Sequence, residues 1–260
     1  MGRSRGGLIA RFAAARASPD KVVLEGLHAF KHALRFGAHM EVACSPDRAD
    51  LLALADRLAP DICVRLDAIV QEVSADAFTR LADEPPATGV LAIAERPSID
   101  PEHPLTGASA APIVLLERPE LLGNLGAVVR VAAAADAAGV LVVGPQDPWH
   151  PIAVRAAAGL QFALPVGRMD ALPPTQRPLV AIEPEGQPLT ADQMPGGAIL
   201  AFGSERRGLS TAILDRASLR LAIPMRPGVS SLNLASAVAV TLYAWRLAHP
   251  THSSPTNLGA

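Results

Sequence analysis

The sequence has few cysteines, few aromatic residues and no long apolar run. Its two cysteines, Cys44 and Cys63, lack CxxC or Cys/His spacing, which argues against structural zinc and favours a reducing compartment. No stretch approaches about 18 uninterrupted apolar residues, so no membrane-spanning helix is predicted. The first twenty residues lack the apolar core and cleavage site of a secretion signal. These absences predict a cytoplasmic protein without a membrane anchor.

Two nucleotide-binding signatures are also absent. No G-x-G-x-x-G motif occurs, so there is no dinucleotide fingerprint. Gly203 and Gly208 have the glycine spacing of a phosphate loop, but Leu209 and Ser210 follow where that loop needs Lys-Ser/Thr. A nucleotide-dependent α/β enzyme of another chemistry is therefore disfavoured.

The charge is nearly balanced but unevenly distributed. A net charge of −2 and a pI near 6.4 give weak evidence against a general nucleic-acid binder. Clustered arginines suit phosphate recognition if they share a face, and scattered solvated charges are the alternative. The two clusters lie near the N-terminus and in the last quarter of the chain: Arg3, Arg5, Arg11, Arg16; Arg206, Arg207, Arg216, Arg220, Arg226.

The apolar pattern predicts an α/β protein in two parts. Between 112 and 225, six short apolar runs alternate with helical stretches, which predicts a parallel sheet with helices on both faces. Before them, a smaller αβ pattern predicts strands at 40–44, 62–66 and 88–95 and a helix at 67–78. The predicted division is a basic N-terminal arm (1–20), a small α/β domain (21–96), a linker (97–111), a main domain (112–250) and a disordered tail (251–260).

Arg130 stands out within an otherwise apolar helix. Asn124 is a natural N-cap for this helix, and the positions one and two turns from Arg130 are Gly or Ala. Such a face indicates a guanidinium in a cleft that another backbone or a ligand approaches. The alternative is an arginine that snorkels from a buried helix to water.

Two later stretches also carry polar residues at the predicted carboxyl ends of strands, where open α/β sheets bind ligands. In "FGSERRGLS", Glu205 lies in a glycine turn, and capping of a helix near Leu209 is the alternative role. In "IPMRPGVSSLN", a strand is predicted to end at 223–225. Ser230 or Ser231 would cap a long helix, with Asn233 one turn inside it.

Together these motifs resemble the SpoU/TrmH family of RNA ribose 2′-O-methyltransferases. The matching pieces are N-x-G-x-x-x-R at Asn124, Gly126 and Arg130, then F-G-S-E-x-x-G-L, then I-P-M with S-L-N before a small-residue helix. The N-terminal part is similar to the small RNA-recognition domain of many members, so the resemblance spans about 21–248.

The resemblance implies a C-terminal trefoil knot, S-adenosylmethionine as cofactor, no metal, and a homodimer with the active site near its interface. It implies that Arg130 stabilises charge on the attacking ribose oxygen, although a general-base role stays open. Ribosomal RNA is the favoured substrate; transfer RNA and a non-catalytic RNA-binding role are the alternatives. The implied catalytic set is Asn124, Arg130, Glu205, Ser231 and Asn233. The implied cofactor-binding set is Gly203, Gly208, Ile223, Met225 and Leu232.

Some residues depart from the family pattern or allow other roles. Ala157 stands where a serine is common, and "ERPELLGNLG" replaces an Asp-Pro before Asn124. His28 and His32 could bind a metal, but two histidines without a third ligand are more often surface residues. Trp149 could stack on a base or pack beneath its loop, and Arg155 could bind phosphate or be solvated.

Overall fold

The structure is a computed structural model that describes residues 3–98, 100 and 102–250. It contains two sheets, one from each half of the chain. The N-terminal sheet has four strands in the order β1-β4-β2-β3, and the C-terminal sheet has six in the order β10-β8-β9-β5-β6-β7. No helix among these residues is both long enough and apolar enough to cross a membrane.

The N-terminal half packs helices around a mixed sheet. Strand β4 is antiparallel to β1 and β2, whereas β3 pairs in parallel with β2. Its elements are α1 (Arg3–Ala17), β1 (Lys21–Glu25), α2 (Leu27–Arg35), β2 (Met40–Ser45), α3 (Arg48–Leu58), α4 (Cys63–Ile69), β3 (Val70–Glu72), α5 (Ala75–Thr79) and β4 (Leu91–Glu95).

Two secondary-structure predictions in this half were wrong. The strand predicted at 62–66 lies in a 3₁₀ turn and α4, because Ile62 and Leu66 are buried one helical turn apart while Val64 is exposed. The helix predicted at 67–78 is divided into the end of α4, β3 and α5. The segment predicted as a basic arm forms α1, and its Phe12 is fully buried against the sheet.

The C-terminal half is the predicted parallel sheet, and all its strand pairs are parallel. Its elements are α6 (His103–Thr106), β5 (Ile113–Glu117), α7 (Leu122–Ala134), β6 (Gly139–Val143), α8 (Pro151–Ala156), β7 (Val166–Met169), β8 (Leu179–Pro188), β9 (Ile199–Phe202), α9 (Thr211–Leu214), β10 (Leu219–Ala222) and α10 (Leu234–Ala248).

Helices cover both faces of this sheet, as predicted, but unequally. Alternate strand residues point to opposite faces. Val114 and Leu116 pack with α7, α8 and α10, while Ile113 and Leu115 pack with the short α6 and α9. The long helices therefore cover one face, and α7 and α10 lie side by side on it.

Element boundaries in this half differ from the predictions at three places. The strand predicted at 161–167 begins only at Val166, after a 3₁₀ turn. The strand predicted to reach Met225 ends at Ala222. The predicted linker contains α6, whose Leu105 is buried on the sheet. The predicted tail, 251–260, lies outside the described residues.

The two halves share a packed boundary. Trp149 and Val154, from the C-terminal half, belong to the apolar core of the N-terminal sheet. The Trp149 ring meets the Phe162 ring edge-on with centroids 5.1 Å apart. Trp149 is thus a packing residue, and it is buried rather than presented to a base.

Candidate active site

A cavity of about 500 Å³ opens at the carboxyl ends of β8, β9 and β10. Its walls come from residues 182–184 of β8, which lie level with the end of β9, from the turn after β9 and from the segment that joins β10 to α10. They include every residue predicted to hold the cofactor: Gly203, Gly208, Ile223, Met225 and Leu232. They also include Glu205, Ser231 and Asn233 from the predicted catalytic set. Segments distant in sequence therefore meet in one pocket.

The turn after β9 forms one wall of this cavity and depends on two glycines. Ser204 and Gly208 pair across the turn, and Gly208 has a φ of +65° that disfavours other residues. Gly203 faces the returning backbone so closely that a Cβ would lie 2.0 Å from the carbonyl carbon of Gly208. The glycine spacing thus serves a tight backbone turn that presents Glu205.

Glu205 binds the start of α7. The backbone amide of Glu120 and the side-chain amide of Asn124 donate to its two oxygens at 2.9 and 2.8 Å. Helix α7 has no side-chain cap of its own, since Leu121 occupies the N-cap position. Glu205 therefore holds the entry to α7 from another loop, where a negative charge also suits the helix dipole.

The carboxyl of Glu205 is held in its ionised form. Burial alone would raise its pKa, but hydrogen bonds from Asn124 and from backbone amides outweigh burial and lower the pKa below its ordinary value. A carboxylate with a lowered pKa and both oxygens engaged is a poor proton acceptor. The local geometry favours Glu205 as a positioning residue.

Asn233 completes a chain of side-chain hydrogen bonds. Its Oδ1 accepts from the amides of Ala235 and Ser236, and its Nδ2 donates to Oδ1 of Asn124 at 3.0 Å. Glu205, Asn124 and Asn233, which we call the amide relay, thus join the turn after β9 to the first turns of α7 and α10. Asn124 is separated by 81 residues from Glu205 and by 109 from Asn233.

Three capping predictions were wrong. Asn124 lies inside the first turn of α7 rather than at its N-cap. Asn233 is the N-cap of α10, a position predicted for Ser230 or Ser231. Ser210 caps α9, so Glu205 does not. Ser210 and Asn233 cap their own helices through local hydrogen bonds, whereas the side chain of Asn124 is engaged by Glu205 and Asn233 from distant segments.

Ser231 and Arg130 are placed differently from the amide relay. Ser231 is exposed on the cavity wall. Arg130 is exposed on α7 and is not among the lining residues. It lies six residues beyond Asn124, which in a regular helix is about 9 Å along the axis and about 120° around it. Arg130 therefore does not line its own chain's cavity.

Packing against α8 explains part of the face of small residues around Arg130 on α7. A Cβ at Gly126 would lie 2.2 Å from the carbonyl oxygen of Ala153, so α8 packs directly on this face. The predicted close approach of another backbone is confirmed there. The snorkelling alternative does not describe Arg130, because the residue lies on an exposed position of the helix.

Sequence reasoning assigned no role to two acidic residues near the site. Glu183, at the cavity wall, is mostly buried and pairs with Arg220 at 3.5 Å. Glu117, at the end of β5, is buried and accepts from the amide of Ser210 at 2.7 Å. Both directly follow apolar strand runs at the sheet edge already singled out, and that position was the signal available.

No cluster of three or more metal-binding side chains occurs among the described residues. His32 instead bonds the carbonyl oxygen of Ala158. Arg155 is paired with Glu25 and, at 3.9 Å, with Glu84. This ion pairing holds α8 against β1 and accounts for Arg155 without a phosphate ligand.

Comparison with known proteins identifies the family. The model of the SpoU rRNA methylase family matches residues 111–243, which is slightly more than half of the chain. The chain belongs to the SpoU rRNA methylase family. The matched range contains the whole amide relay and the cavity, and the family predicted from the three motifs is confirmed.

Relatives of this SpoU methylase extend the similarity to the N-terminal half. An uncharacterized tRNA/rRNA methyltransferase from Synechocystis is 31% identical, over 92% of this chain and 89% of its own. RlmP of Bacillus subtilis, a 23S rRNA (guanosine(2553)-2′-O)-methyltransferase, is 27% identical, over 88% of this chain and 89% of its own.

Solved structures agree with the fold. A structure of an RNA 2′-O ribose methyltransferase matches with a TM-score of 0.71 at 27% identity, covering 95% of this chain and 97% of that one. AviRb of Streptomyces viridochromogenes, in complex with AdoMet, matches with a TM-score of 0.73 at 24% identity, covering 92% of this chain and 98% of that one. The architecture of this SpoU methylase is that of known members.

Proposed function

We propose that this SpoU methylase methylates a ribose 2′-hydroxyl of ribosomal RNA. Its class, an RNA ribose methyltransferase that uses S-adenosylmethionine, follows from its family and relatives. The choice of ribosomal RNA rests on relatives named for 23S rRNA methylation. The single observation that carries the proposal is the amide relay, which joins three distant motif segments at the edge of one cavity.

The cavity fits S-adenosylmethionine. Its volume of about 500 Å³ lies within the range of small-molecule sites. Apolar side chains such as Ile182, Phe202 and Ile223 would enclose the adenine, and Glu183 would accept hydrogen bonds from hydroxyl or ammonium groups. Backbone of the Gly203–Gly208 turn and of Met225 and Leu232 would complete the binding wall. When bound, the cofactor supplies an electrophilic methyl group on a sulfonium.

The relay residues act by positioning. Glu205 holds the start of α7, and Asn233 holds the start of α10, so both helices present their first turns beside the cavity. Asn124 ties the two together. This fixed arrangement limits reorganisation when the ribose arrives, which is a recognised source of rate enhancement. Ser231 adds a hydroxyl to the cavity wall.

Arg130 is the substrate-facing cation in this proposal. A guanidinium keeps its proton at neutral pH, so it is a poor base but a good bidentate partner for phosphate or a developing alkoxide. Because Arg130 is exposed and does not line its own chain's cavity, we propose that it serves the cavity of a second copy in a homodimer. Exposed apolar side chains on α10, at Val240, Tyr243 and Leu247, support an interface there.

A heterodimer experiment tests this assignment. One copy carries Arg130→Ala and the other Ala237→Phe, which fills the cavity from α10. If Arg130 acts across the interface, one of the two sites regains both an open cavity and an arginine, and the heterodimer has about half the wild-type activity. If Arg130 acts in its own chain, the heterodimer is inactive.

Three further features belong to the proposal. The C-terminal part forms a trefoil knot, which is supported by β9 lying between β5 and β8 and by the loops after β9 and β10 lining one cavity. Residues 21–96 form an RNA-binding domain, ahead of the linker 97–111 and the methyltransferase domain 112–250. The protein works in the cytoplasm without a metal.

The substrate is tested by incubating the protein with labelled S-adenosylmethionine and either ribosomal or transfer RNA. The label should enter ribosomal RNA with wild-type protein and be lost with Ala237→Phe, which is expected to lose cofactor binding. Arg57→Ala, on exposed α3, is the matched control and should remain active. Label confined to transfer RNA would overturn the choice of substrate.

A further inference from the structure

Helix α2 of the N-terminal half is fixed on the turn that follows α8. The Nδ1–H group of His32 donates to the carbonyl oxygen of Ala158 at 2.8 Å. Gly159, at a φ of +72°, approaches so closely that a Cβ would lie 2.5 Å from the carbonyl oxygen of Ala29. Because these contacts involve backbone, α2 has a defined position beside the methyltransferase half.

The 3₁₀ turn at 160–162 contacts both α2 and α7, and this packing places His28 and Lys31 of α2 where the charge of Arg130 acts on them. Burial lowers the pKa of His28 most, and the charges of Lys31 and Arg130 lower it further. Burial is also the largest cause of the lowered pKa of Lys31, and Arg130 again contributes. We call His28, Lys31 and Arg130 the α2–α7 patch; it spans both halves of the protein.

The α2–α7 patch has an excess of positive charge. No hydrogen bond or ion pair engages its three side chains within the part of the chain that the structure describes. Asp61, the carboxylate that acts on Lys31, is already bound at both oxygens by Arg35, at 2.7 and 2.6 Å. Glu25, at the end of β1, is engaged by Arg16 and Arg155.

We propose that the α2–α7 patch binds a backbone phosphate of the RNA beside the target ribose. This inference rests on the proposed function and names where the N-terminal half contacts the substrate. Lys31 supplies a point charge, Arg130 a bidentate donor and His28 a neutral ring N–H, which together suit one phosphate group. The ribose is thereby delivered to Arg130 by the same contact that holds the RNA.

The first test measures RNA binding, without methyl transfer, as a function of salt. The probe is unmodified 23S ribosomal RNA made by transcription, bound to full-length protein. Each phosphate contact releases counterions, so the logarithm of the RNA-binding constant falls as the logarithm of the salt concentration rises. Loss of one contact makes this slope less steep by about 0.7–0.9. Lys31→Ala should lower the slope by about this amount and weaken binding several-fold, while Arg57→Ala should leave both unchanged.

The second measurement separates binding from chemistry. With saturating cofactor, Lys31→Ala should raise KM for RNA several-fold and leave kcat and cofactor affinity near wild-type values. Lys31→Arg, which keeps the charge, should restore KM, and Lys31→Glu should raise it further. Thermal melting of each variant shows whether the fold is intact.

The outcomes distinguish this inference from the proposed function. A wild-type salt slope and a wild-type KM in Lys31→Ala would overturn the phosphate contact, even if the protein methylates RNA. A Lys31-dependent slope without any methyl transfer by the wild type would support the contact and overturn the proposed function.

Discussion

The first turn of α7 and its middle are built in opposite ways. Asn124, in the first turn, takes part in two side-chain hydrogen bonds to segments 81 and 109 residues away. Arg130, less than two turns later, has no such bond among the described residues and is exposed. The first turn of α7 is fixed by hydrogen bonds, whereas the exposed side chain of Arg130 is available to bind a ligand.

This difference separates stability from turnover. A substitution in the amide relay removes native hydrogen bonds, so it should change both the free energy of unfolding and the rate. A substitution of Arg130 removes no hydrogen bond or ion pair found among the described residues, so it should lower activity and leave the free energy of unfolding near its wild-type value. Substitutions at four residues test this comparison.

The largest effect is expected for Arg130→Ala. Turnover should fall at least ~10²-fold, the usual scale for removing a group that stabilises transition-state charge. Cofactor affinity by calorimetry and the melting temperature should stay near wild type. Arg130→Lys, which keeps charge without a bidentate fork, should recover only part of the activity. Near-normal turnover of Arg130→Ala would refute the role of Arg130.

The second effect concerns Asn124 and compares two replacements. Asn124→Ala removes two hydrogen bonds, each worth about 1 kcal/mol, and should lower both stability and turnover. Asn124→Asp keeps the shape but places a carboxylate against Glu205, so at neutral pH it should destabilise more than alanine does. Urea unfolding of both variants measures which of them has the lower free energy of unfolding.

The order found for these two replacements should depend on pH. In mildly acidic solution a proton shared by the two carboxyls restores a hydrogen bond, so the excess destabilisation of Asn124→Asp should shrink. If Asn124→Asp is as stable as wild type at neutral pH, Asn124 does not donate to Glu205 in solution.

A smaller effect is expected for Ser231→Ala. Ser231 is exposed on the cavity wall, and one hydrogen bond to a ligand contributes about 1 kcal/mol. Cofactor affinity should therefore weaken about five-fold, with no change in melting temperature. Unchanged affinity would place the hydroxyl outside the cofactor contacts.

The smallest effect is the acid dependence of stability from Glu205. Its pKa is lower in the folded than in the unfolded chain, so its contribution is present above the ordinary glutamate pKa and is lost as pH falls through the folded value. Glu205→Gln should abolish this dependence, and urea unfolding across acidic pH measures it. Parallel pH profiles of variant and wild type would contradict the assigned hydrogen bonds.

The sequence predicted the parallel sheet well because its strands are continuous apolar runs. Residues 113–117 and 139–143 are buried throughout, as strands covered on both faces must be. The strand prediction at 62–66 was wrong because a five-residue apolar segment is equally compatible with a strand and with a buried helix. The four-residue spacing of Ile62 and Leu66 indicates a helix only when both side chains are known to be buried.

For the site, motif order predicted the cavity residues but not their contacts. Gly203, Ile223 and Leu232 were predicted beside the cofactor, and they line the cavity. That Glu205 would hold the start of α7 could not be predicted from local sequence, because its partners lie about eighty residues away. The position of Arg130 near His28 and Lys31 depends on how α2 packs, which no local pattern encodes.

The central claim, ribose methylation of ribosomal RNA, is tested most directly by alkaline hydrolysis of the labelled product. Alkali cleaves RNA through attack of the 2′-oxygen on the adjacent phosphate, so a methylated ribose blocks cleavage at that position. After incubation with labelled S-adenosylmethionine and unmodified 23S ribosomal RNA, the label should appear in a dinucleotide that resists alkali. Label released in mononucleotides, which indicates a methylated base, would contradict the account.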